Sequence, residues 1–314
     1  MGGYNVLALV IGGAGFIGRR VVRLLAAKGH DVIAGDINTA VSFQEPQVRT
    51  VRIDLTQFED VVAAMATHKP DVVVNLGFLL AVDRPRIEAL PRAAFKLNIL
   101  GMDNCLEAAR LCGVRHVVYA SSIAVNSYQK HYGNRRITED DEVTPSNQYS
   151  THKVFNEWQA KEYREKHGMC ITGIRGANVT GPDKIIGSVD HVQCVVRPAL
   201  GEKVELDYRD LMRCLIHVDD IAEVFARVAM AERPKHAIYN TGGESMSLGQ
   251  LADLVRKIIP GADISFQHET GGAEISRGYL YDNDRLVSEF GVDYPPYEQR
   301  VREMIETARR GASA

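Results

Sequence analysis

A run of apolar residues that leads directly into a cluster of glycines most restricts how this chain can fold. Residues 6–11 are all apolar, which is typical of a strand buried on both faces of a parallel sheet. Four glycines follow within 12–18, and apolar residues then recur with helical spacing from Val21. This order predicts a strand, a tight turn and a helix whose N-terminus favours phosphate, although glycines can also be simple turn residues. The favoured phosphate-binding glycines are Gly12, Gly15 and Gly18, and the spacing from Gly13 to Gly15 to Gly18 also fits.

An acidic residue ends the second predicted strand. Asp36 follows the apolar residues 32–35 and lies 18 residues beyond Gly18. A carboxylate there can accept hydrogen bonds from the adenosine ribose of a dinucleotide. The next three positions contain no arginine that could bind a 2′-phosphate. The sequence therefore favours NAD over NADP, and a solvated aspartate at a strand end is the alternative interpretation.

A tyrosine and a lysine four positions apart begin a predicted helix. Tyr149 and Lys153 would share one face of a helix over 149–167. The ammonium of Lys153 would then lie near the phenol of Tyr149 and lower its pKa, which makes a tyrosine usable as an acid or base. Lys153 could also bond the nicotinamide ribose. Taken alone, Tyr149 also fits an ordinary surface aromatic residue.

A serine at the end of a further strand completes this set. Residues 116–120 read as a strand, and Ser121 and Ser122 follow at its carboxyl end, the edge where open α/β sheets bind ligands. A hydroxyl there can bond a substrate oxygen as charge develops on it. Taken alone, Ser122 also fits a turn or capping residue. Together with Tyr149 and Lys153 it indicates proton transfer at a carbinol oxygen.

These motifs resemble the extended short-chain dehydrogenases/reductases of the NAD-dependent epimerase/dehydratase family. The similarity covers nearly the whole chain and includes the segments 54–55, 75–77, 98–110, 175–182 and 216–222. By this resemblance the catalytic residues are Ser122, Tyr149, Lys153 and Asn98. Asn98 would kink the long central helix and hold a proton-relay water. The implied NAD contacts are Gly12, Gly15, Phe16, Ile17, Gly18, Asp36, Asp54, Leu55, Leu76, Gly77, Tyr149 and Lys153.

The alternation of strands and helices predicts the architecture. It indicates an α/β fold with a doubly wound parallel (Rossmann) sheet, followed by a smaller C-terminal α/β substrate-binding domain. The NAD-binding domain is expected over 1–178 with part of 213–241, and the substrate-binding domain over 179–212 and 242–314. The predicted strands are 48–53, 71–76, 116–121, 170–175, 204–206, 237–241 and 263–267. The predicted helices are 58–67, 86–112, 149–167, 247–258, 283–290 and 297–309, with one within 189–200 and a strand followed by a helix over 213–230.

Composition limits the possible partners. A net charge of −3 over 314 residues gives no reason to expect nucleic acid or an anionic membrane as a partner. The five cysteines form no Cys-x-x-Cys pair, which favours reduced residues of a cytoplasmic protein. The histidines show no metal-ligand spacing, and no apolar stretch is long enough to span a bilayer. The resemblance implies a homodimer through helices 86–112 and 149–167, although core packing explains their apolar stripes equally well.

The substrate is less clearly indicated. Asn178 and Arg213 lie where nucleotide-sugar enzymes of the family contact the substrate diphosphate, and Asn126 and Ser122 are predicted to contact the substrate as well. Two departures weaken that reading: 207–212 lacks a Gly-x-Gly turn, and Asn126 stands where many such enzymes have tyrosine. The absence of an acid after Ser122 disfavours dehydration. Segments 78–82 and 187–191 resemble threonine dehydrogenases faintly, and 78–82 fits core packing equally well.

The resulting hypothesis is an NAD-dependent enzyme that transfers a hydride at a secondary carbinol carbon. The favoured substrate is a sugar or nucleotide sugar, converted by an epimerase or a dehydrogenase. One alternative is a dehydrogenase of a small hydroxy acid or hydroxy amino acid. A second alternative is a non-catalytic NAD-sensing protein, which the complete Ser122, Tyr149 and Lys153 set disfavours.

Overall fold

A seven-stranded parallel sheet forms the centre of the protein. The computed structural model describes residues 5–79 and 91–312. The strands of this sheet are β1 (Leu7–Ile11), β2 (Asp31–Asp36), β3 (Val48–Arg52), β4 (Val72–Asn75), β5 (His116–Ser122), β6 (Ile171–Gly176) and β10 (Ile238–Asn240). Their spatial order is β3-β2-β1-β4-β5-β6-β10, and every neighbouring pair is parallel. The order reverses between β1 and β4, where open α/β sheets form a ligand-binding crevice.

Helices cover both faces of this sheet. They are α1 (Gly18–Ala27), α2 (Phe58–His68), α3 (Pro91–Phe95), α4 (Gly101–Leu111), α5 (Gln148–His167) and α7 (Val218–Met230). The intervening helix, α6 (Asp190–Ala199), belongs to the C-terminal part of the chain. Successive residues of β1 point to opposite faces, so Ala8 and Val10 pack with α1 and α7 while Leu9 and Ile11 pack with α2 and α4. Because both faces are covered, the strand needs apolar residues throughout. The predicted doubly wound α/β fold is confirmed.

The C-terminal part of the chain has its own hydrophobic cluster. Its remaining elements are β7 (Asn178–Thr180), β8 (Val204–Tyr208), β9 (Met212–His217), β11 (Glu244–Ser247), β12 (Ile264–His268), α8 (Leu248–Ile258), α9 (Asp284–Phe290) and α10 (Tyr297–Ala312). β11, β9 and β7 form a three-stranded sheet, and β12 pairs with β8. Apolar residues of α6, α8 and α10, such as Val195, Leu251 and Val301, pack into a cluster separate from those on the main sheet. No helix in the described part of the chain is long and apolar enough to cross a membrane.

The predicted element bounds before residue 177 agree with the structure to within one residue, with one exception. The helix predicted over 86–112 is interrupted by a π-helical segment, Lys96–Leu100, between α3 and α4, and residues 86–90 lie outside the described part. β7 and β11 were not predicted. Both are short and pair only with the distant β9, so neither has a periodicity of its own that sequence can reveal.

His116 at the start of β5 makes the stability of this fold dependent on pH. Its side chain is 0% exposed and its Nε2 lies 3.0 Å from Thr172 Oγ1. Burial lowers the pKa of His116 to about 4. The unfolded chain therefore binds a proton at this residue before the folded chain does. The stabilisation from a neutral His116 is complete above a pH of about 6.5 and is lost as the pH falls toward 4.

We predict that His116→Gln reduces the loss of unfolding free energy between pH 6.5 and 4.5 by about 2 kcal/mol, because the variant binds no proton there. Denaturant unfolding at a series of pH values measures this change. His131→Gln, which replaces an exposed histidine, is the control and should retain the wild-type slope. A wild-type slope in His116→Gln would contradict the prediction.

Candidate active site at the carboxyl edge of the sheet

The glycine turn between β1 and α1 has no room for side chains. Gly12 has a φ of +79°, and a Cβ there would lie 2.9 Å from the carbonyl carbon of Leu76 at the end of β4. A Cβ at Gly18 would overlap the carbonyl oxygen of Gly12, and one at Gly15 would lie 3.0 Å from the same oxygen. The spacing of these three glycines therefore matches the packing of the turn, and the backbone stays accessible at the crevice.

The start of α1 is suited to a phosphate group. The helix has no side-chain cap and no acidic residue in its first turn, so its N-terminal dipole is not compensated by a carboxylate. Asp36 at the end of β2 accepts hydrogen bonds from the N–H groups of Ala14 (3.1 Å) and Asn38 (3.0 Å). Its carboxylate is thereby fixed beside the glycine turn and remains partly exposed. These residues fit the phosphates and the adenosine ribose of a dinucleotide.

Neighbouring loops at this edge contain the other residues predicted to contact NAD. Asp54 follows β3 and accepts hydrogen bonds from the backbone N–H (3.0 Å) and hydroxyl (2.7 Å) of Thr56. Leu55 is buried, and a Cβ at Gly77 would lie 2.9 Å from its side chain. Phe16 packs against Gly181, and the guanidinium of Arg20 lies 4.9 Å from its ring centroid. Leu76 follows β4 and Ile17 precedes α1, so these residues also lie at the carboxyl ends of strands of the main sheet.

Ser122 and Tyr149 come together from the end of β5 and the first turn of α5. The helix starts there because Asn147 and Ser150 form a reciprocal capping box. Ser122 Oγ accepts a hydrogen bond from the N–H of Ala124 at 3.1 Å. Burial raises the pKa of Tyr149, and a hydrogen bond with Ser122 acts in the opposite direction. The hydroxyl pair is therefore assembled, and burial favours the neutral phenol over the phenolate.

Lys153 is buried and turned toward the sheet. Its side chain is 3% exposed, and Nζ donates a 2.6 Å hydrogen bond to the carbonyl of Ala120. Burial lowers the pKa of Lys153 to about 7, and the charge of Glu157 partly opposes this. Nζ is 5.8 Å from the ring centroid of Tyr149. In this structure burial and Ser122 determine the pKa of Tyr149, so the expectation that Lys153 lowers it stays a prediction.

Phe78 lies against both of these residues. The ring of Phe78 packs edge-to-face against the ring of Tyr149, with 5.4 Å between the two centroids. Lys153 Nζ lies 3.5 Å from the centroid of the Phe78 ring. The bulky segment predicted over 78–82 therefore approaches the catalytic pair at Phe78, while 80–82 lie outside the described residues. The aromatic ring therefore packs against both residues of the predicted catalytic pair.

Asn98 lies within the π-helical segment, where a kink was predicted. Its side-chain oxygen accepts from the N–H of Leu79 (2.8 Å), and its amide nitrogen donates to the carbonyl of Leu79 (3.0 Å). The wider turn leaves the carbonyls of Asn98 and Ile99 to accept from Asn156 (2.8 Å) and Gln159 (3.2 Å) of α5. Asn98 thus fixes the backbone next to Phe78, and the proton-relay water stays a prediction.

Two predicted substrate residues have different surroundings from those expected. Asn126 is 0% exposed, and its amide nitrogen donates to Tyr132 Oη (3.0 Å) and the carbonyl of Glu142 (3.3 Å). The side chain of Asn126 is thus bonded inside the protein, and its predicted contact with the substrate stays a prediction. Arg213 on β9 forms an ion pair with Asp190 at the start of α6. Asn178, partly buried at the start of β7, pairs with Leu215 of β9.

The ion pair of Asp190 neutralises much of the charge that Arg213 could offer a ligand. Burial acts to raise the pKa of Asp190, but hydrogen bonding to His191 and the charge of Arg213 outweigh it and hold that pKa well below its usual range. His191 Nδ1 lies 2.8 Å from the same carboxylate. Arg213 is therefore a weaker candidate for binding an anionic substrate than its position in the sequence suggests.

Arg277 is a candidate that sequence reasoning missed. Its guanidinium donates to Ser146 Oγ at 2.7 Å, three residues before Tyr149, and lies 5.9 Å from the ring centroid of Tyr128. Its backbone forms a bridge with Tyr128. Among residues 5–79 and 91–312, no carboxylate forms an ion pair with Arg277. Only tertiary structure brings this arginine to the start of α5, and the local sequence around it shows no motif.

The chain is similar to known proteins over most of its length. Residues 8–242 match the model of the NAD dependent epimerase/dehydratase family. Protein CapI of Staphylococcus aureus is 31% identical over 234 residues, which cover 70% of this chain and 68% of that protein. The UDP-glucose 4-epimerase of Mycolicibacterium smegmatis is 31% identical over 231 residues, which cover 70% of this chain and 72% of that enzyme.

Solved structures show the same fold. The UDP-glucose 4-epimerase of Thermus thermophilus in complex with NAD superposes with a TM-score of 0.83 at 25% identity, covering 96% of this chain and 99% of that one. An L-threonine dehydrogenase from Cupriavidus necator superposes with a TM-score of 0.82 at 20% identity, covering 96% and 99%. The second likeness concerns the fold alone.

Proposed function

Because this chain belongs to the NAD dependent epimerase/dehydratase family, we propose that its edge site transfers a hydride at a secondary carbinol of a sugar or nucleotide sugar. The main support is the meeting of Ser122, Tyr149 and Lys153 beside a glycine turn suited to a dinucleotide. The 31% identity with a UDP-glucose 4-epimerase favours a nucleotide sugar. We also propose that segments 179–212 and 242–314 bind the substrate, which their separate hydrophobic cluster supports.

In the proposed mechanism, NAD supplies the hydride acceptor when it is bound. As the phenolate, Tyr149 takes the hydroxyl proton on Oη while the carbinol carbon loses its hydride, and the resulting phenol returns that proton in the reverse step. Ser122 Oγ donates a hydrogen bond to the reacting oxygen. A protonated Lys153 favours the phenolate of Tyr149 and can orient the nicotinamide ribose. An epimerase would return the hydride to the other face of the carbon, and a dehydrogenase would release the ketone.

We predict that Tyr149→Phe lowers turnover by about 100-fold or more while NAD affinity changes little, because only the proton-transfer group is lost. Turnover is measured with UDP-glucose, UDP-glucuronic acid and L-threonine, and NAD binding by calorimetry. Tyr163→Phe, which removes a partly buried hydroxyl of the same helix that bonds Asp103, serves as the control. Unchanged turnover in Tyr149→Phe would exclude this residue from the chemical step.

A small hydroxy acid or hydroxy amino acid is the second candidate substrate. The ion pair between Arg213 and Asp190 weakens the expected diphosphate contact, and the bulky ring of Phe78 packs against Tyr149. Arg277 then remains as a partly buried cation without a carboxylate partner among the described residues. One guanidinium can bind one carboxylate in a bidentate manner, which suits a compact acid.

We predict that Arg277→Gln raises KM for the anionic substrate by about 10-fold or more with a much smaller change in kcat, since a binding contact is lost and the proton-transfer groups stay. Arg213→Gln should have a smaller effect, because Asp190 already neutralises that guanidinium. Steady-state kinetics of both variants measure the difference. Arg302→Gln on the exposed face of α10 is the control. An unchanged KM in Arg277→Gln would place the anion site elsewhere.

A homodimer and a cytoplasmic location complete the proposal. Phe95, Leu100, Phe155 and Trp158 leave large apolar surfaces exposed on α3, the π-helical segment and α5, and a second copy of the chain could cover them symmetrically. The five cysteines are free, and three of them are buried, which supports a reducing compartment. Fractionation of cells that express the protein tests the location.

We predict that Trp158→Glu converts the dimer to a monomer, because the charge would be placed on the buried face of the pair. Light scattering coupled to size-exclusion chromatography measures the mass. Val287→Glu, on the exposed side of α9, should leave the mass unchanged. A wild-type protein that is already monomeric at micromolar concentration would contradict this part of the proposal.

A further inference from the structure

A carboxylate whose side chain is only 13% exposed lies one helical turn beyond Lys153. Glu157 of α5 accepts a 2.6 Å hydrogen bond from Ser121 Oγ at the end of β5. Arg175 of β6 donates to both of its oxygens, from Nε and from Nη2, at 2.8 Å each. The side chain of Arg175 is only 4% exposed. Three elements of the sheet edge therefore meet at one fixed negative charge.

The need for stability does not by itself explain this ion pair. A buried, hydrogen-bonded pair contributes little net stability, because removing both charges from water is costly. Residues of the same size without charge could fill the position between α5, β5 and β6. The location of the pair directly behind the catalytic lysine calls for a different explanation.

The surroundings of Lys153 provide that explanation. Its ammonium contacts the carbonyl of Ala120 and the ring of Phe78, neither of which carries a formal charge. Among the described residues, Glu157 is the only carboxylate whose charge acts on Lys153. The other titratable or charged groups around this position are Tyr149 and His152 on α5, Tyr119 on β5, and Arg175 on β6 behind Glu157.

We infer that Glu157 is a positioning residue for the proposed hydride transfer: its negative charge keeps the buried amine of Lys153 protonated, while Ser121 and Arg175 fix the carboxylate in place. This inference rests on the role proposed for Lys153. A neutral lysine could not favour the phenolate of Tyr149 electrostatically. The charge of Glu157 therefore acts on the reaction through Lys153 and without contact to the substrate.

The direction of the effect follows from the burial of Lys153. Burial disfavours the charged amine. The pKa of Lys153 is lowered to about 7 even though the charge of Glu157 raises it. Removal of the carboxylate leaves burial unopposed and adds the unpaired cation of Arg175 nearby. The amine would then lose its proton at a lower pH, and the catalytic set would lose its positive charge under neutral conditions.

The direct test is a titration of Lys153 in the full chain by NMR with ¹³C-labelled lysine. The Lys153→Met variant identifies the signal, because that signal disappears from its spectrum. We expect Glu157→Gln to lower the titration midpoint of Lys153 by about one pH unit or more. Glu157→Gln with Arg175→Gln removes both charges and avoids an unpaired buried guanidinium, and should lower the midpoint by a smaller amount.

A matched control is available in the same region. Glu139 is buried, accepts a hydrogen bond from the N–H of Asn240 at 2.8 Å, and acts through its charge on Arg175, the partner of Glu157. Glu139→Gln should leave the Lys153 midpoint at its wild-type value. A fall of equal size in Glu139→Gln would overturn the assignment to Glu157, because it would reveal a general effect of removing buried charge.

The remaining outcomes separate this inference from the proposed function. A wild-type midpoint in both Glu157 variants would overturn the inference even if the protein transfers hydride. A lowered midpoint in a protein that transfers no hydride to any test substrate would support the electrostatic coupling and contradict the proposed function. If the enzyme is active, kcat of Glu157→Gln should begin to fall at a lower alkaline pH than kcat of the wild type. The difference in pH should equal the shift of the Lys153 titration midpoint.

Discussion

The close contact of Gly12 with Gly18 is the constraint on which the active edge of this protein depends. A side chain at Gly18 would overlap the carbonyl of Gly12, and one at Gly12 would meet the backbone at the end of β4. Because neither residue has a Cβ, α1 starts directly above β1 and next to β4. This is also the point where the strand order reverses. The crevice, the uncapped helix start and the fixed position of Asp36 all follow from this packing.

Desolvation of Tyr149 and Lys153 is the second physical effect that determines the properties of the site. Tyr149 and Lys153 lie in surroundings that disfavour charge, so the tyrosine pKa is raised and the lysine pKa is lowered. The ammonium lies 3.5 Å from the ring centroid of Phe78, a cation–π contact that favours the charged amine but does not outweigh its burial. The two shifts oppose the ion pair of phenolate and ammonium that proton transfer at a carbinol requires. Nearby groups such as Ser122 and Glu157 act in the other direction, which makes the site sensitive to single charges around it.

Local sequence patterns revealed most of the fold. Apolar runs and helical spacing located the strands and helices of the main sheet because each of those elements has its own periodicity. The glycine turn could also be recognised from local sequence, because the spacing of its glycines is set within seven consecutive residues. The short strands β7 and β11 could not be found in this way, because each exists only through its pairing with β9.

The candidate site was predicted less completely. The spacing of Tyr149 and Lys153 on one helix was readable, whereas the direction of the Lys153 amine depends on Ala120 and Phe78, which belong to other elements. The burial of Asn126 and the pairing of Arg213 with Asp190 are likewise tertiary contacts. Arg277 reaches the start of α5 from more than 100 residues away. The sequence therefore identified which residue types form the site, but it did not reveal which charged groups are paired or buried in it.

The central claim is that this edge transfers a hydride at a secondary carbinol. The most direct measurement follows UDP-glucose, UDP-glucuronic acid and L-threonine by proton NMR, and NADH by absorbance, in the same samples of protein with NAD. The account predicts that one of these substrates is either converted to its epimer without accumulation of NADH or oxidised with an equal amount of NADH. Binding of NAD with no change in any substrate and no NADH would contradict it.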